Sequence, residues 1–210
     1  MNHKRKLIFL LTVSCILPTF LLTSCTEEKP LRTLPMYGPV DEETKANHRV
    51  ADFSLTDQNG KTITQRDFDN KIFVADFFFT TCRSICPVMS TQMERVNEKF
   101  KDEPTVMFLS HSVNPEFDTP DILKEYAENH HADANKWHFV TGDKKQIYDL
   151  ARQSYLVIAT AGDGGPDDFV HTQNFALVDK QKRIRGYYDG TDSTEVNKLI
   201  DDITILLKEN

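Results

Sequence analysis

The sequence of 210 residues predicts one α/β domain with a mixed central β-sheet and helices on both faces. Between residues 71 and 152, runs of β-branched and aromatic residues alternate with segments of helical periodicity. This alternation is typical of parallel strands joined by helices. Two strand-like runs, 174–179 and 184–188, then follow each other around a short turn. Strands joined in that way pair antiparallel, so the predicted sheet is mixed.

A β-hairpin precedes this alternating region in the sequence. Residues 50–55 alternate between apolar and polar side chains and lead into residues 57–60 (DQNG), a sequence typical of a hairpin turn. Residues 61–64 are the predicted return strand. The segment 71–79 (KIFVADFFF) is apolar almost throughout, which predicts a central strand buried on both faces.

Helices and strands then alternate to the end of the domain. Apolar residues at helical spacing predict a helix at 86–100. Pro120 in a first turn predicts a second helix at 120–130, which Thr119 or Asp118 caps. The other predicted elements are strands at 105–109 and 137–140, helices at 144–152 and 193–208, and a loop rich in Gly, Asp and Pro at 160–168.

The first 24 residues have the features of a secretory signal. Three basic residues at positions 4–6 precede a short apolar stretch that Pro18 interrupts. The stretch ends in Leu22-Thr23-Ser24-Cys25, which resembles a bacterial lipobox, so we expect lipidation at Cys25 after removal of residues 1–24. An uncleaved anchor helix is the alternative, and Pro18 disfavours it. Either way we expect export to the periplasm or cell exterior and a membrane anchor, a tether at 25–47, and the domain at 48–210.

Composition and charge exclude several classes of function. The full chain has 25 basic and 32 acidic residues, and loss of residues 1–24 would leave 22 basic residues and a net charge of −10. An acidic chain is a poor ligand for nucleic acid, and its membrane attachment would depend on acyl chains rather than on anionic lipid. The apolar content of 39% is ordinary for a globular domain and excludes disorder and a multi-pass membrane protein. A monomer is the default expectation.

The cysteines indicate a chemical role. Cys15 would leave with the signal and Cys25 would carry lipid, so only Cys82 and Cys86 remain in the domain. A disulfide across four residues constrains the unfolded chain little, which disfavours a structural bond. The pair lies where the strand at 71–79 meets the next helix, a layout that indicates a thioredoxin-like fold. The helix dipole, backbone N–H groups and the charge of Arg83 should lower the thiol pKa values there.

Both sulfurs can point at one metal ion, because positions i and i+4 share a face of a helix. Thiolates select Cu(I), zinc or iron–sulfur clusters, and two thiolates leave the ion under-coordinated. His171, at the end of the 160–168 loop region and before a core strand, is the best third ligand. A Cys2His set with an open position suits copper, whereas zinc more often has a fourth ligand. We expect five histidines at the surface or in caps, namely His48, His111, His130, His131 and His138, with His111 the least clear case because it follows a core strand.

Three sequence features together resemble the Sco/SenC family of copper-binding, thioredoxin-like assembly factors for cytochrome c oxidase. These are Cys82-x3-Cys86-Pro87 after an apolar strand, the segment 112–120 (SVNPEFDTP), and one His before a strand that ends in Asp179. The resemblance covers about residues 48–208 and implies that Cys82, Cys86 and His171 are copper ligands. The sequence departs from the family pattern at Phe78, Arg83 and Asn114, and none of these departures removes a ligand.

The cysteine pair and the family resemblance are consistent with two functions of different classes. A copper metallochaperone would receive copper from a donor protein and pass it to the binuclear copper centre in the copper-bearing subunit of the oxidase. A thiol-disulfide reductase would use Cys82 and Cys86 as a redox pair to reduce that subunit's cysteines before metal enters. His171 has no obvious duty in the second function, so its replacement discriminates between them. A peroxidase is disfavoured because Phe79 and Arg83 occupy the positions where a Thr-x-x-Cys pattern would have Thr.

Overall fold

The computed structural model describes residues 32–157, 165 and 172–209. The predicted signal at 1–24, the lipidation site Cys25 and the proposed ligand His171 lie outside the described residues. In the described part the strands, in chain order, are β1 (Ser54–Asp57), β2 (Thr62–Thr64), β3 (Ile72–Phe78), β4 (Val106–Ser112), β5 (Trp137–Thr141), β6 (Asn174–Val178) and β7 (Ile184–Asp189). The helices are α1 (Cys86–Lys99), α2 (Pro120–Asn129), α3 (Lys144–Asp149) and α4 (Ser193–Lys208).

The described strands form one mixed sheet in the order β2-β1-β5-β4-β3-β6-β7. The three central strands β3, β4 and β5 are parallel, because helices connect them across the sheet. The hairpin β1–β2 extends one side through an antiparallel pairing of β1 with β5, and β6 and β7 extend the other side antiparallel. The predicted α/β class, mixed sheet and N-terminal hairpin are confirmed.

Side chains of the central strands alternate between two cores, one on each face of the sheet. Val74 and Phe78 of β3 point to the first core, where they join α1, α2 and α4. Phe73 and Phe77 point to the second core, where they join α3 and the π-helical turn Leu150–Ser154 that follows it. The strand is therefore buried on both faces, which explains why its sequence is apolar almost throughout.

Most predicted boundaries hold, and the differences have local causes. Helix α4 spans the predicted residues, and Thr119 caps α2 by accepting a hydrogen bond from the Ile122 N–H at 3.5 Å. Residues 50–53, predicted as strand, are not part of β1, because the Val50 N–H bonds to the Lys182 carbonyl and the Ala51 N–H bonds to the Ser154 hydroxyl. Strand β4 runs three residues further than predicted, to Ser112, because it pairs with β3 to its end.

The N-terminal segment 32–47, which we predicted to be part of a tether, contacts the domain. Leu34 is only 2% exposed and packs in the core with α1 and α4. The buried guanidinium of Arg185 donates to the Leu34 carbonyl at 2.9 Å and to the Pro35 carbonyl at 3.0 Å. The Tyr37 N–H bonds to the carbonyl of Ile184 in β7 at 2.9 Å. These contacts belong to a compact unit that begins at Arg32, whereas the sequence predicts a domain that begins near His48. Among the residues that the structure describes, no helix has the length and apolar character to cross a membrane.

Candidate metal centre

The two cysteines lie at the carboxyl end of β3, where the chain turns into α1. Cys82 is half-buried in the connecting loop, and its N–H bonds to the Phe79 carbonyl at 3.1 Å. Cys86 is the first residue of α1 and is 3% exposed, and Pro87 follows it in the first turn. Both are free thiols. The predicted position of the pair, between a central strand and its helix, is confirmed.

The backbone N–H groups of Ser84 and Cys86, just before and at the beginning of α1, donate to the Cys82 sulfur. The N-cap residue, Ile85, has no side chain that can cap, and the first turn contains no acidic residue. Within this turn the orphan donors of the helix start therefore have no competing carboxylate. The Cys82 Sγ also lies 3.6 Å from the Ser84 Oγ. A thiolate at this point receives several hydrogen bonds and the favourable end of the helix dipole.

The two thiols differ strongly in acidity, so the predicted lowering of the thiol pKa is correct for Cys82 and wrong for Cys86, which is buried. Partial burial opposes ionisation of Cys82, but hydrogen bonds from the Cys86 and Ser84 side chains and backbones outweigh it and lower its pKa to about 7. Burial raises the pKa of Cys86 to about 12, and its hydrogen bond to Cys82 and the nearby charge of Asp76 act in the same direction. Cys82 is thus the thiolate near neutral pH. Cys86 keeps its proton until its sulfur binds a metal ion or forms a disulfide bond.

Both sulfurs line one cavity of about 70 Å³. That volume is room for about two water molecules, so an ion with one exchangeable ligand would fit it. Of the residues that the structure describes, those that line the cavity are Phe77, Phe79, Cys82, Ser84, Ile85, Cys86, Val113 and Thr172. Apart from the thiols its walls are largely apolar, which suits a soft thiolate-bound ion.

The third ligand remains a prediction. In the part of the chain that the structure describes, no three His, Cys, Asp or Glu side chains come together as a metal site. Thr172, which follows the predicted ligand directly in sequence, lines the cavity with the two cysteines. His171 itself lies outside the described residues.

Two histidines that we expected at the surface or in caps are buried, which corrects that prediction. His111 is 0% exposed within β4, stacks on Phe77 with ring centroids 4.7 Å apart, and contacts Tyr155 edge-on. Its Nδ1 is 3.2 Å from the Asp76 carbonyl, and its Nε2 has no hydrogen-bond partner among the residues that the structure describes. His138 is 6% exposed, with its Nδ1 3.4 Å from a carboxylate oxygen of Asp57.

Two carboxyl groups lie near the cysteines, and the sequence predicts no role for either of them. Asp76 lies within the apolar run of β3, faces Ser110 at 2.5 Å, and has its pKa raised to about 7 by burial. In the sequence, the indication for Asp76 is an acidic residue within an apolar run that predicts a strand buried on both faces. Asp118, in the segment 112–120, is 0% exposed and accepts hydrogen bonds from Thr80 and Ser112. For Asp118, the segment 112–120 is the indication in the sequence. The contact of Asp118 with Thr80, 38 residues earlier in the chain, depends on the fold.

Comparison with known proteins gives one consistent family. The family model described as SCO1/SenC matches residues 41–208. The structure of a SCO1/SenC family lipoprotein from Bacillus anthracis str. Ames is 28% identical, with a TM-score of 0.67, and the match covers 76% of this chain and 95% of that one. BsSco, a member of the Sco family of cytochrome c oxidase assembly proteins in which a disulfide switch was identified, is 31% identical with a TM-score of 0.67 over 78% of this chain and 96% of that one. Arabidopsis thaliana ScoI, solved with copper bound, is 25% identical with a TM-score of 0.61 over 77% and 99% of the two chains.

Proposed function

This chain belongs to the SCO1/SenC family, and we propose that it is a copper metallochaperone for the binuclear copper centre of cytochrome c oxidase. The observation that carries the proposal is the pair of free thiols on one cavity wall, with Cys82 acidic enough to ionise near pH 7. Copper bound to the Arabidopsis ScoI and the description of BsSco as an oxidase assembly protein support it.

Copper is the cargo, and three side chains would hold it. Cys82 would supply a thiolate already present at neutral pH, and Cys86 would lose its proton as the ion binds, because a metal competes with the proton for sulfur. The imidazole of His171 would complete a Cys2His set. The position of Thr172 on the cavity wall supports this choice, because His171 is its neighbour in the sequence.

Transfer would proceed by ligand exchange. Thiolates of the oxidase subunit would replace Cys82, Cys86 and His171 one at a time, so the ion would never be free in solution. The half-exposed Cys82 is the sulfur that an incoming partner can reach first, whereas Cys86 lies below it. A donor protein could load copper by the reverse of the same exchange.

The test is a copper titration of the reduced domain against a competing chelator. We expect one copper ion per chain, with binding weakened by at least about tenfold in Cys82→Ser, Cys86→Ser and His171→Ala. The exposed His131→Ala is the matched control and should bind as the wild type does. Wild-type affinity in His171→Ala would remove that residue from the site, and no stoichiometric binding by the wild type would end the proposal.

The same geometry favours a second candidate, a thiol-disulfide reductase. The acidity difference between Cys82 and Cys86 suits attack by the first and resolution by the second. The Cys82 thiolate would attack one sulfur of the target disulfide and release the other as a thiolate. Cys86 would then attack Cys82 in the mixed disulfide, which leaves the target as a dithiol and this chain with a Cys82–Cys86 disulfide. Two electrons pass from this chain to the target.

The His171→Ala variant separates the two functions. A reductase should keep its rate of exchange with a disulfide-containing peptide in this variant, whereas a copper carrier should lose copper. Loss of exchange in Cys82→Ser with no effect of His171→Ala on any assay would favour the reductase.

The same proposal includes the location and organisation of the protein. Cleavage before Cys25 and acylation of its thiol would hold an exported, monomeric domain at the membrane, and the lipoprotein relative from Bacillus anthracis supports this. Mass spectrometry of the membrane fraction is the direct test. Wild-type chain should carry lipid at Cys25, and Cys25→Ser should appear unprocessed and without lipid.

A further inference from the structure

A buried carboxylate connects the loop between β4 and α2 with the segment that leads to Cys82. Asp118 is 0% exposed, and a buried carboxyl group needs hydrogen-bond donors. Its Oδ2 accepts from the Thr80 N–H at 3.2 Å and from the Ser112 hydroxyl at 2.5 Å. Its Oδ1 accepts from the Thr80 hydroxyl. Both donors of Thr80 therefore go to this one side chain.

A second contact fixes the chain just before Thr80. The Val113 N–H, at the start of the same loop, bonds to the Phe78 carbonyl at 2.8 Å. Beyond Thr80, the Cys82 N–H closes a turn onto the Phe79 carbonyl at 3.1 Å. The backbone from Phe78 to Cys82 is thus held on both sides of Thr80, and the loop with Asp118 supplies three of the four hydrogen bonds.

We propose that Asp118 is a positioning residue that, through Thr80, fixes the Cys82 sulfur relative to the Cys86 sulfur. Cys86 is held independently, because it is buried at the first position of α1. Cys82 belongs to a loop with no regular structure, so its distance from Cys86 depends on how firmly its own segment is held. The expected effect of this positioning on metal binding rests on the proposed function. Its expected effect on the reactivity of Cys82 does not.

Thr80→Val is the sharpest test. It keeps the shape and charge of the side chain and removes the hydroxyl donor to Asp118. Loss of partners that orient a ligand costs metal affinity by about tenfold or more in known sites, and we expect a loss of about tenfold here. We also expect the alkylation of Cys82 by iodoacetamide at pH 7 to slow by about fivefold, because a displaced sulfur loses the donors that favour its thiolate.

Two variants serve as controls. Thr80→Ser keeps the hydroxyl and should restore both the copper affinity and the alkylation rate to within about twofold of wild type. Thr91→Val, on the exposed side of α1, removes a hydroxyl that bonds to the Pro87 carbonyl at 2.9 Å and should change neither readout. Asp118→Asn combined with Thr80→Val should lose less than the sum of the two single changes, because both disturb the contact between Thr80 and Asp118.

The experiment uses the reduced domain, copper competition, the absorption spectrum of the copper–thiolate complex, and mass mapping of the alkylated cysteine. A lower thermal stability of Thr80→Val with wild-type affinity, spectrum and alkylation rate would overturn the proposal, since that is the result of a merely structural contact. If the wild type binds no copper, the proposed function fails, and the alkylation rates of Thr80→Val and Thr80→Ser alone decide the positioning role.

Discussion

The buried imidazole of His111 should make the stability of the domain depend on pH. Its Nδ1 donates to the Asp76 carbonyl, so in the neutral ring the proton is on Nδ1 and the unpartnered Nε2 carries the lone pair. Protonation would place an unpaired N–H and a positive charge between Phe77 and Tyr155. Burial accordingly lowers the pKa of His111 from 6.5 to about 4.

The sign and size of the effect follow from linkage. Because the pKa of His111 is lower in the folded than in the unfolded chain, its neutral form favours folding fully above about pH 6.5, and this contribution is lost as the pH falls toward 4. At pH 5 the unfolded chain binds almost one proton at this ring and the folded chain almost none. At about 1.4 kcal/mol per pKa unit, the loss between pH 7 and pH 5 is about 2 kcal/mol.

The assay compares wild type with His111→Phe, which keeps an aromatic ring against Phe77. Urea unfolding under reducing conditions can follow the fluorescence of Trp137, the only tryptophan in the sequence. The unfolding free energy of the variant relative to wild type should rise by about 2 kcal/mol from pH 7 to pH 5. The difference between the two proteins is the quantity to use, because the raised pKa of Asp76 acts in the opposite direction in both.

The exposed His131→Asn is the matched control for this experiment. Asparagine tolerates the positive φ of 52° at that position, and the variant should keep the wild-type pH profile. Parallel profiles of wild type and His111→Phe between pH 7 and pH 5 would refute the account of His111 as a buried neutral base.

Three further predictions concern other buried or reactive groups. Lys136→Met should lower the unfolding free energy by about 1–3 kcal/mol in urea unfolding, because the buried ammonium donates to the carbonyls of Phe100, Lys101 and Glu103 in the segment after α1. An unchanged urea midpoint would contradict this. Arg185→Met should cost about 1–3 kcal/mol and expose residues 32–40 to limited proteolysis, because it removes one of the two arginines that pair with the buried Asp179 and frees the Leu34 and Pro35 carbonyls. Intact protection of that segment would argue against the contact. Cys82 should reach half its maximal alkylation rate near pH 7 and react before Cys86, as measured by peptide mass mapping, and the reverse order would show that the acidities are wrongly assigned.

The sequence by itself determined the elements whose signals are local. The apolar run of β3, the amphipathic pattern of α4 and the turn at 57–60 depend on neighbours along the chain, so their type and approximate bounds could be read directly. The position of Cys82 and Cys86 between a strand and a helix is local in the same sense. Copper as the ion followed from the family resemblance together with the chemistry of two thiolates and an imidazole.

Only the tertiary structure decided which side chains are buried together. His111 and His138 resemble surface histidines in sequence, but the pairing of β4 with β3 and β5 places both inside. Residues 32–40 have the composition of a tether, and their attachment depends on Arg185, some 150 residues later in the chain. The different acidities of two cysteines four residues apart likewise arise from burial and from the N–H groups at the start of α1. These properties depend on desolvation and on contacts between distant segments, which no local pattern of residues encodes.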